Sequence, residues 1–443
     1  MSVPPTSAPS SGDGWLVLST LTDPPEPPNL TPAVAQAAVA RLRHIARQIE
    51  QARERWDARP VEEGARLPFE MLLRHLSGTR HVWHCRPAEG AADGRPNSQA
   101  RPPDPQCLER PWPEPKWSDK ELIDWAWQAN VLWLSPNGTL HDPEGRCLWR
   151  GEGAVATADA DAKLPLPAEA RQREVSVAMQ MRNRLINPVE TVLPMWGATE
   201  SAPVSADQAA RRSLALFVTS VRAESFVNVD GPADSSVLTR RKLQARCPLA
   251  VSCLSPEESQ FMDHPAPSAM LLDRFAWRYE ALHTLQWALE MQPELPWPDE
   301  RCDLAPVTKL MIELSHEDMV AHARLRPISQ LTDAAELHRQ LWWVLATSQA
   351  EQAPDGRTPG DLVGPNGLDP GVITERLLAL AWLLDWLPGP MGADSSGGDG
   401  AHPRLLNRAD AEPDGDFSHA AAVAWDATEA WIDGGMPLAN AVN

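Results

Sequence analysis

Trp277-Arg278-Tyr279-Glu280-Ala281-Leu282-His283-Thr284-Leu285-Gln286-Trp287-Ala288-Leu289 is the stretch that decides the fold. Wound as a helix at about 100° per residue, it places apolar or aromatic side chains on nearly every side. A helix of that kind has to be wrapped by other elements rather than laid on one surface. Glu336 to Ala346 and Val372 to Leu387 have the same character, each with tryptophans inside an apolar run. Three such helices satisfy one another only by packing together, so the chain is expected to be mainly α, with a helical domain built on these segments. A few ionisable residues interrupt the runs: Arg278, Glu280, His283, His338, Arg339, Glu375 and Arg376.

Working outward, 443 residues exceed one hydrophobic core, and two domains with linkers are the natural expectation. The 44 prolines cluster at Pro4 to Pro32, Pro87 to Pro115 and Pro354 to Pro370, where loops fit better than packed elements. The expected organisation is a disordered start over 1–14, an N-terminal α+β unit over 15–150, and a linker over 151–167. The helical domain follows over 168–390, and then a flexible, acidic, Gly/Asp-rich tail with a short helix over 391–443. Within the first unit, Trp15 to Leu21 and Arg80 to Arg86 read as strands. Thr31-Pro32 reads as the start of a helix whose apolar stripe runs from Val34 to Trp56. Ser118 with Glu121 has the capping-box spacing ahead of a second amphipathic helix. Pro136-Asn137-Gly138 and Asp142-Pro143-Glu144-Gly145 are turn signals that predict a small β-meander. In the second, Ala168 to Ile186 reads as helical. Ser205 with Gln208, Ser255-Pro256-Glu257-Glu258 and Asp369-Pro370 mark further helix starts.

Sixty Asp and Glu against forty Lys and Arg leave a formal charge of −20. That charge repels nucleic-acid phosphate and anionic membrane surfaces and favours a basic protein as partner. Only five cations are lysine, which with abundant Ala, Pro and Arg suggests a GC-rich bacterial genome. Six cysteines with no C-x-x-C pair indicate neither a disulfide framework nor a zinc knuckle. Met1 to Gly14 lacks the charged start and apolar core of a secretory signal. The run Leu377 to Leu384 is far too short to span a bilayer, so a cytoplasmic location is expected. Oligomeric state has no signature here.

The stretch from Trp277 to Leu289, preceded by Leu254-Ser255-Pro256-Glu257-Glu258, resembles the central signature of a bacterial family, domain of unknown function 4272. Glu336-Leu337-His338-Arg339-Gln340-Leu341-Trp342-Trp343 and Thr374-Glu375-Arg376-Leu377-Leu378-Ala379-Leu380-Ala381-Trp382-Leu383 resemble its following helices. Arg211-Arg212-Ser213-Leu214-Ala215-Leu216 is similar to its arginine-led first helix. The resemblance covers about residues 171–387 and implies a helical cytoplasmic domain; it transfers no catalytic residue. Family members finish soon after the last tryptophan helix, with an acidic Trp-Asp stretch. Here Trp425-Asp426, beyond Gly392 to Asp416, is the displaced candidate for it.

The chain has no Gly-x-Ser-x-Gly elbow, P-loop, His-Glu-x-x-His or Gly-x-Gly-x-x-Gly, and no cofactor or metal is expected. His75, His81, His84 and Cys85 would converge only on a helix, and the flanking residues favour a strand, which separates them. The candidate site is the polar cluster of Glu280, His283, Arg339, Glu375 and Arg376. Glu280 and His283 share a helical face, and Glu280, if buried, needs a cation, for which Arg339 and Arg376 are the nominees. As an ion-pair network the cluster fixes helix register; as a pocket lining it would do acid-base chemistry. The expected role is a non-catalytic protein-binding module, an adaptor or immunity-type protein with a basic partner. The alternative is an enzyme of unrecognised class using the Glu/His cluster, and a cavity lined by those residues would favour it.

Overall fold

The computed structural model describes residues 15–28, 30–33, 35–57, 69–85, 115, 117–150, 159, 161–189, 195–227, 234–352, 365–384, 425–426, 428–429 and 432. They are mostly helical, with one small antiparallel sheet near the N-terminus. They fall into two compact units. The second begins at Ala168 and includes the described residues between Trp425 and Ile432.

The first unit is built on six strands, β1 (Leu16–Ser19), β2 (Thr31–Pro32), β3 (His81–His84), β4 (Val131–Leu134), β5 (Leu140–His141) and β6 (Cys147–Trp149), in the order β2-β3-β1-β4-β5-β6. Alternation assigns the two faces. Leu16, Leu18, Leu132 and Leu134 join Leu42, Ile45 and Ile49 of α1 (Ala35–Asp57) and Leu72 and Leu76 of α2 (Phe69–Gly78). Val17, Val131 and Trp133 turn to the other side with Trp125 and Ala126 of α3 (Lys120–Gln128). The sheet therefore lies between two helical layers. The β-meander expected from the turn signals is β4-β5-β6. Its second turn needs Gly145, at φ +83°, where a Cβ would stand 2.4 Å from the Trp117 ring.

Two helix starts differ from their expected positions. Thr31-Pro32 opens no helix: it pairs with His84 and Trp83 as the edge strand β2, and α1 begins at Ala35. An edge strand tolerates proline's missing donor, and ladder pairing outweighs the local capping signal. The α3 cap is Asp119, one residue after Ser118, with its carboxylate accepting from the Glu121 and Leu122 amides.

The second unit contains α4 (Ala168–Asn183), α5 (Ala206–Val227), α6 (Asp234–Arg246), α7 (Pro248–Val251), α8 (Pro256–Asp263), α9 (Ala269–Ala288), α10 (Leu304–Glu313), α11 (His316–Ala321), α12 (Ile328–Gln352) and α13 (Pro370–Leu383). The centre is α9, buried on every side from Arg278 to Ala288 and packed mainly on α5 and α13. The capping signals at Ser205, Ser255 and Asp369 all hold: Gln208 and Glu258 close capping boxes, and Pro370 occupies the first turn of α13. The α12 helix packs on α13 and α4, with Leu341, Val344 and Leu345 meeting Val177, Met181 and Ile373. No described helix is long and apolar enough to cross a membrane. Of the expected linker over 151–167, residues 151–158 and 160 lie outside the described residues, as does Gly392 to Asp416 of the tail. Trp425, Thr428, Glu429 and Ile432 are buried in the helical unit.

Candidate functional site

The polar residues of α9 are bound into ion pairs with α13, because a charge inside an apolar bundle is tolerated only with a partner. Arg376 donates from Nε to Glu280 Oε2 over 3.1 Å, and its Nη2 stands 3.0 Å from the same oxygen. The remaining oxygen of Glu280, Oε1, accepts the Cys302 amide at 2.5 Å, and Arg376 Nη1 donates to the Pro296 carbonyl at 2.5 Å. Both ends of the pair thus reach into the loop between α9 and α10. Two residues earlier on α9, Arg278 Nη1 spans both oxygens of Glu375 at 2.8 and 3.1 Å, while its Nη2 pairs with Glu429. Glu429 also accepts from Arg274 Nε at 2.5 Å, and Arg274 in turn makes a two-bond fork to Glu257 at 2.7 and 3.1 Å.

Of the two nominees for Glu280, the pairing goes to Arg376. Arg339 instead pairs with Glu336, one turn earlier on its own helix, at 2.7 Å. Glu336 holds α12 to the preceding chain through its other oxygen, which accepts the Met195 amide at 2.7 Å. Glu375 is brought to Arg278 rather than to Glu280. Four of the five candidate residues therefore fall in three separate pairings, and the fifth, His283, stands beside the first.

His283 Nδ1 is buried with no hydrogen-bond partner among the described residues. Burial, and next the nearby Arg376 guanidinium, push its pKa down to about 4 against the pull of Glu280, so the imidazole is neutral near pH 7. Glu280, His283 and Cys302 each place a potential ligand atom within 4.8 Å of the others. Burial, followed by the Glu280 carboxylate, raises the Cys302 thiol well above its ordinary value, so the metal-free residue is a thiol. His75 and His81 each turn a ring nitrogen to a backbone carbonyl, Leu18 and Thr22, and with β3 extended they make no common centre with His84 and Cys85.

Cys302, Glu336 and Glu429 were not among the candidate residues. Glu336 is legible from its i, i+3 spacing to Arg339; Cys302 and Glu429 have no local signal, since loop and chain returns bring them in.

Fold and site together define a helical domain whose central helix is fixed by buried arginine-carboxylate pairs. Residues 172–390 match the model of a family described as Domain of unknown function (DUF4272), and that segment is similar to the family. The match begins within α4 and takes in α5, α9, α12 and α13. No curated protein and no solved structure matches the chain.

Proposed function

We propose that this protein is a non-catalytic protein-binding module with a basic partner, in the manner of an adaptor or an immunity-type protein. The observation that carries the reading is the exposed stretch from Glu290 to Asp318. Glu290, Glu294, Asp299, Glu300, Asp303, Glu313, Glu317 and Asp318 are all exposed there, against Arg301 and Lys309 as exposed cations. Among them stand Leu304, Ile312 and Leu314, with Ile312 69 % exposed. Exposed apolar side chains interspersed along the chain with carboxylates suit a cationic surface that brings its own apolar contacts, with charge speeding encounter and apolar burial slowing release. Glu280 has one carboxylate oxygen in the ion pair with Arg376 and the other on the Cys302 amide, which supports a register-setting role over a free general base. A reducing cytoplasm is the proposed setting, in keeping with the free thiols of Cys85, Cys247, Cys253 and Cys302.

The test is photo-crosslinking in the native host from a reactive residue placed at position 312, with Lys309 as a second site. A basic protein captured at both positions, and lost in Glu313→Lys/Glu317→Lys at unchanged melting temperature, is the expected result. Capture of acidic partners, or capture indifferent to the charge reversal, overturns the reading. Turnover lost in Glu280→Gln, at retained stability, would install the enzymatic alternative.

A further inference from the structure

We propose that Glu280, His283 and Cys302 form a zinc site that clasps the loop ahead of α10 to the central helix α9. The inference is independent of the protein-binding reading. Carboxylate, imidazole and thiolate are the three ligand types zinc accepts, with bond lengths near 2.0 to 2.3 Å. Around one tetrahedral ion such atoms stand about 3.3 to 3.6 Å apart. The three groups already have atoms within 4.8 Å of one another, so small rotamer adjustments close the set.

Chain geometry explains how they meet. Glu280 and His283 lie one turn apart on a helix buried on all sides, which fixes two ligands on one face. Cys302, 22 residues beyond Glu280, is delivered by its own backbone, since its amide donates to Glu280 Oε1. Its thiol rests 3.7 Å from the Tyr279 carbonyl. Among the described residues the buried Nδ1 of His283 has no partner, which is costly in an apolar bundle unless a ligand uses the ring.

Arg376 stays on Glu280 Oε2 as an orienting partner of the carboxylate, the arrangement that commonly supports a metal ligand. Its positive charge opposes the ion, but the thiolate formed on binding offsets it. Binding exchanges the Cys302 proton for zinc: the S–H bond breaks, the sulfur lone pair forms the Zn–S bond, and the proton leaves to solvent. His283 enters neutral and loses no proton. With three protein ligands, water completes the tetrahedron. Cys302 is only half-buried, which gives the ion a way in.

The test uses the full chain, stripped with chelator and then titrated with cobalt(II) or zinc(II) alone. The expected result is a thiolate-to-cobalt charge-transfer band saturating at one equivalent. One zinc should also be retained after dialysis, with a zinc-dependent rise in melting temperature. Cys302→Ser should abolish the band, and His283→Gln should weaken binding at least about tenfold, the scale seen on disturbing even the surroundings of a metal ligand. Cys253→Ser should leave everything unchanged. Glu280 is left intact because its loss strands Arg376. If Cys302→Ser does not fold, His283→Gln decides alone. Absence of the band in the native chain overturns the proposal, as does a band and zinc retention that survive His283→Gln.

Discussion

Glu280 shows how much a single buried charge commits. Both of its oxygens are used, one by Arg376 and one by the Cys302 amide. Replacing it with glutamine keeps the shape and removes the charge, leaving the fully buried Arg376 with neutral acceptors and no counter-ion from Glu280. Glu280→Gln is therefore expected to cost about 3 to 5 kcal/mol in urea unfolding; a loss below about 1 kcal/mol would mean that the pair behaves as an exposed one. The sequence states the need for a cation and narrows it to two arginines. Choosing between them takes the fold, although Glu336 at i−3 of Arg339 is a visible competitor. His338 supplies a pH test at the same scale. Burial, and then Arg376, lower its pKa to about 4, against a hydrogen bond to the Ala334 carbonyl. With an unfolded value near 6.5, the unfolded chain binds the extra proton between about pH 6.5 and 4. Stability from this group is thus complete above about pH 6.5 and falls as pH drops towards 4, by roughly 3 kcal/mol at most. Urea titrations at pH 7.5 and 5 should show the drop, and His338→Gln should reduce it.

At the scale of elements, helix starts are the most legible feature, because a cap is a contract among residues two or three apart. Ser255 with Glu258 and Asp369 with Pro370 keep that contract. At Asp369 the side chain accepts from the Gly371 and Val372 amides, donors that have no other intrahelical acceptor. Asp369→Ala should lower stability by about 1 kcal/mol, and Asp369→Asn should restore most of it. A thermal melt of both variants checks this; equal melting of Asp369→Ala and the native chain would show that α13 is held by packing alone. Thr31-Pro32 marks the limit of such reading. The same two residues that suit a helix start also suit an edge strand, and the decision belongs to β3, some fifty residues away in sequence. A local pattern is decisive when no distant partner competes for the same backbone groups.

The whole helical unit depends on residues that composition sets apart from it. The sequence places 391–443 in a tail, because a Gly/Asp-rich surrounding carries no periodicity from which a docking face can be read. Yet Trp425 is completely buried, its ring 5.7 Å from that of Trp382 on α13 and covered by the Arg212 guanidinium at 4.5 Å. Glu429 joins Arg274 and Arg278, both on α9. Burial raises the Glu429 carboxyl, but Arg278 and Arg274 outweigh it and hold the group below its ordinary value, as expected of a bound anion. Removing residues 413–443 deletes the buried Trp425, about 3 to 5 kcal/mol for tryptophan truncated to alanine. It also deletes an anion shared by two arginines. Arg278 keeps Glu375 and Arg274 keeps Glu257, so the electrostatic part is smaller than for an orphaned charge. A domain stabilised by about 5 to 15 kcal/mol in total would be brought close to its limit. A fragment of residues 168–443 should thus unfold cooperatively. One ending at residue 387 should melt at a much lower temperature or lose cooperativity, and in the full chain Trp425→Ala should reproduce much of the loss. Identical melting of the two fragments would show that the core of α5, α9, α12 and α13 is closed without Trp425 and Glu429.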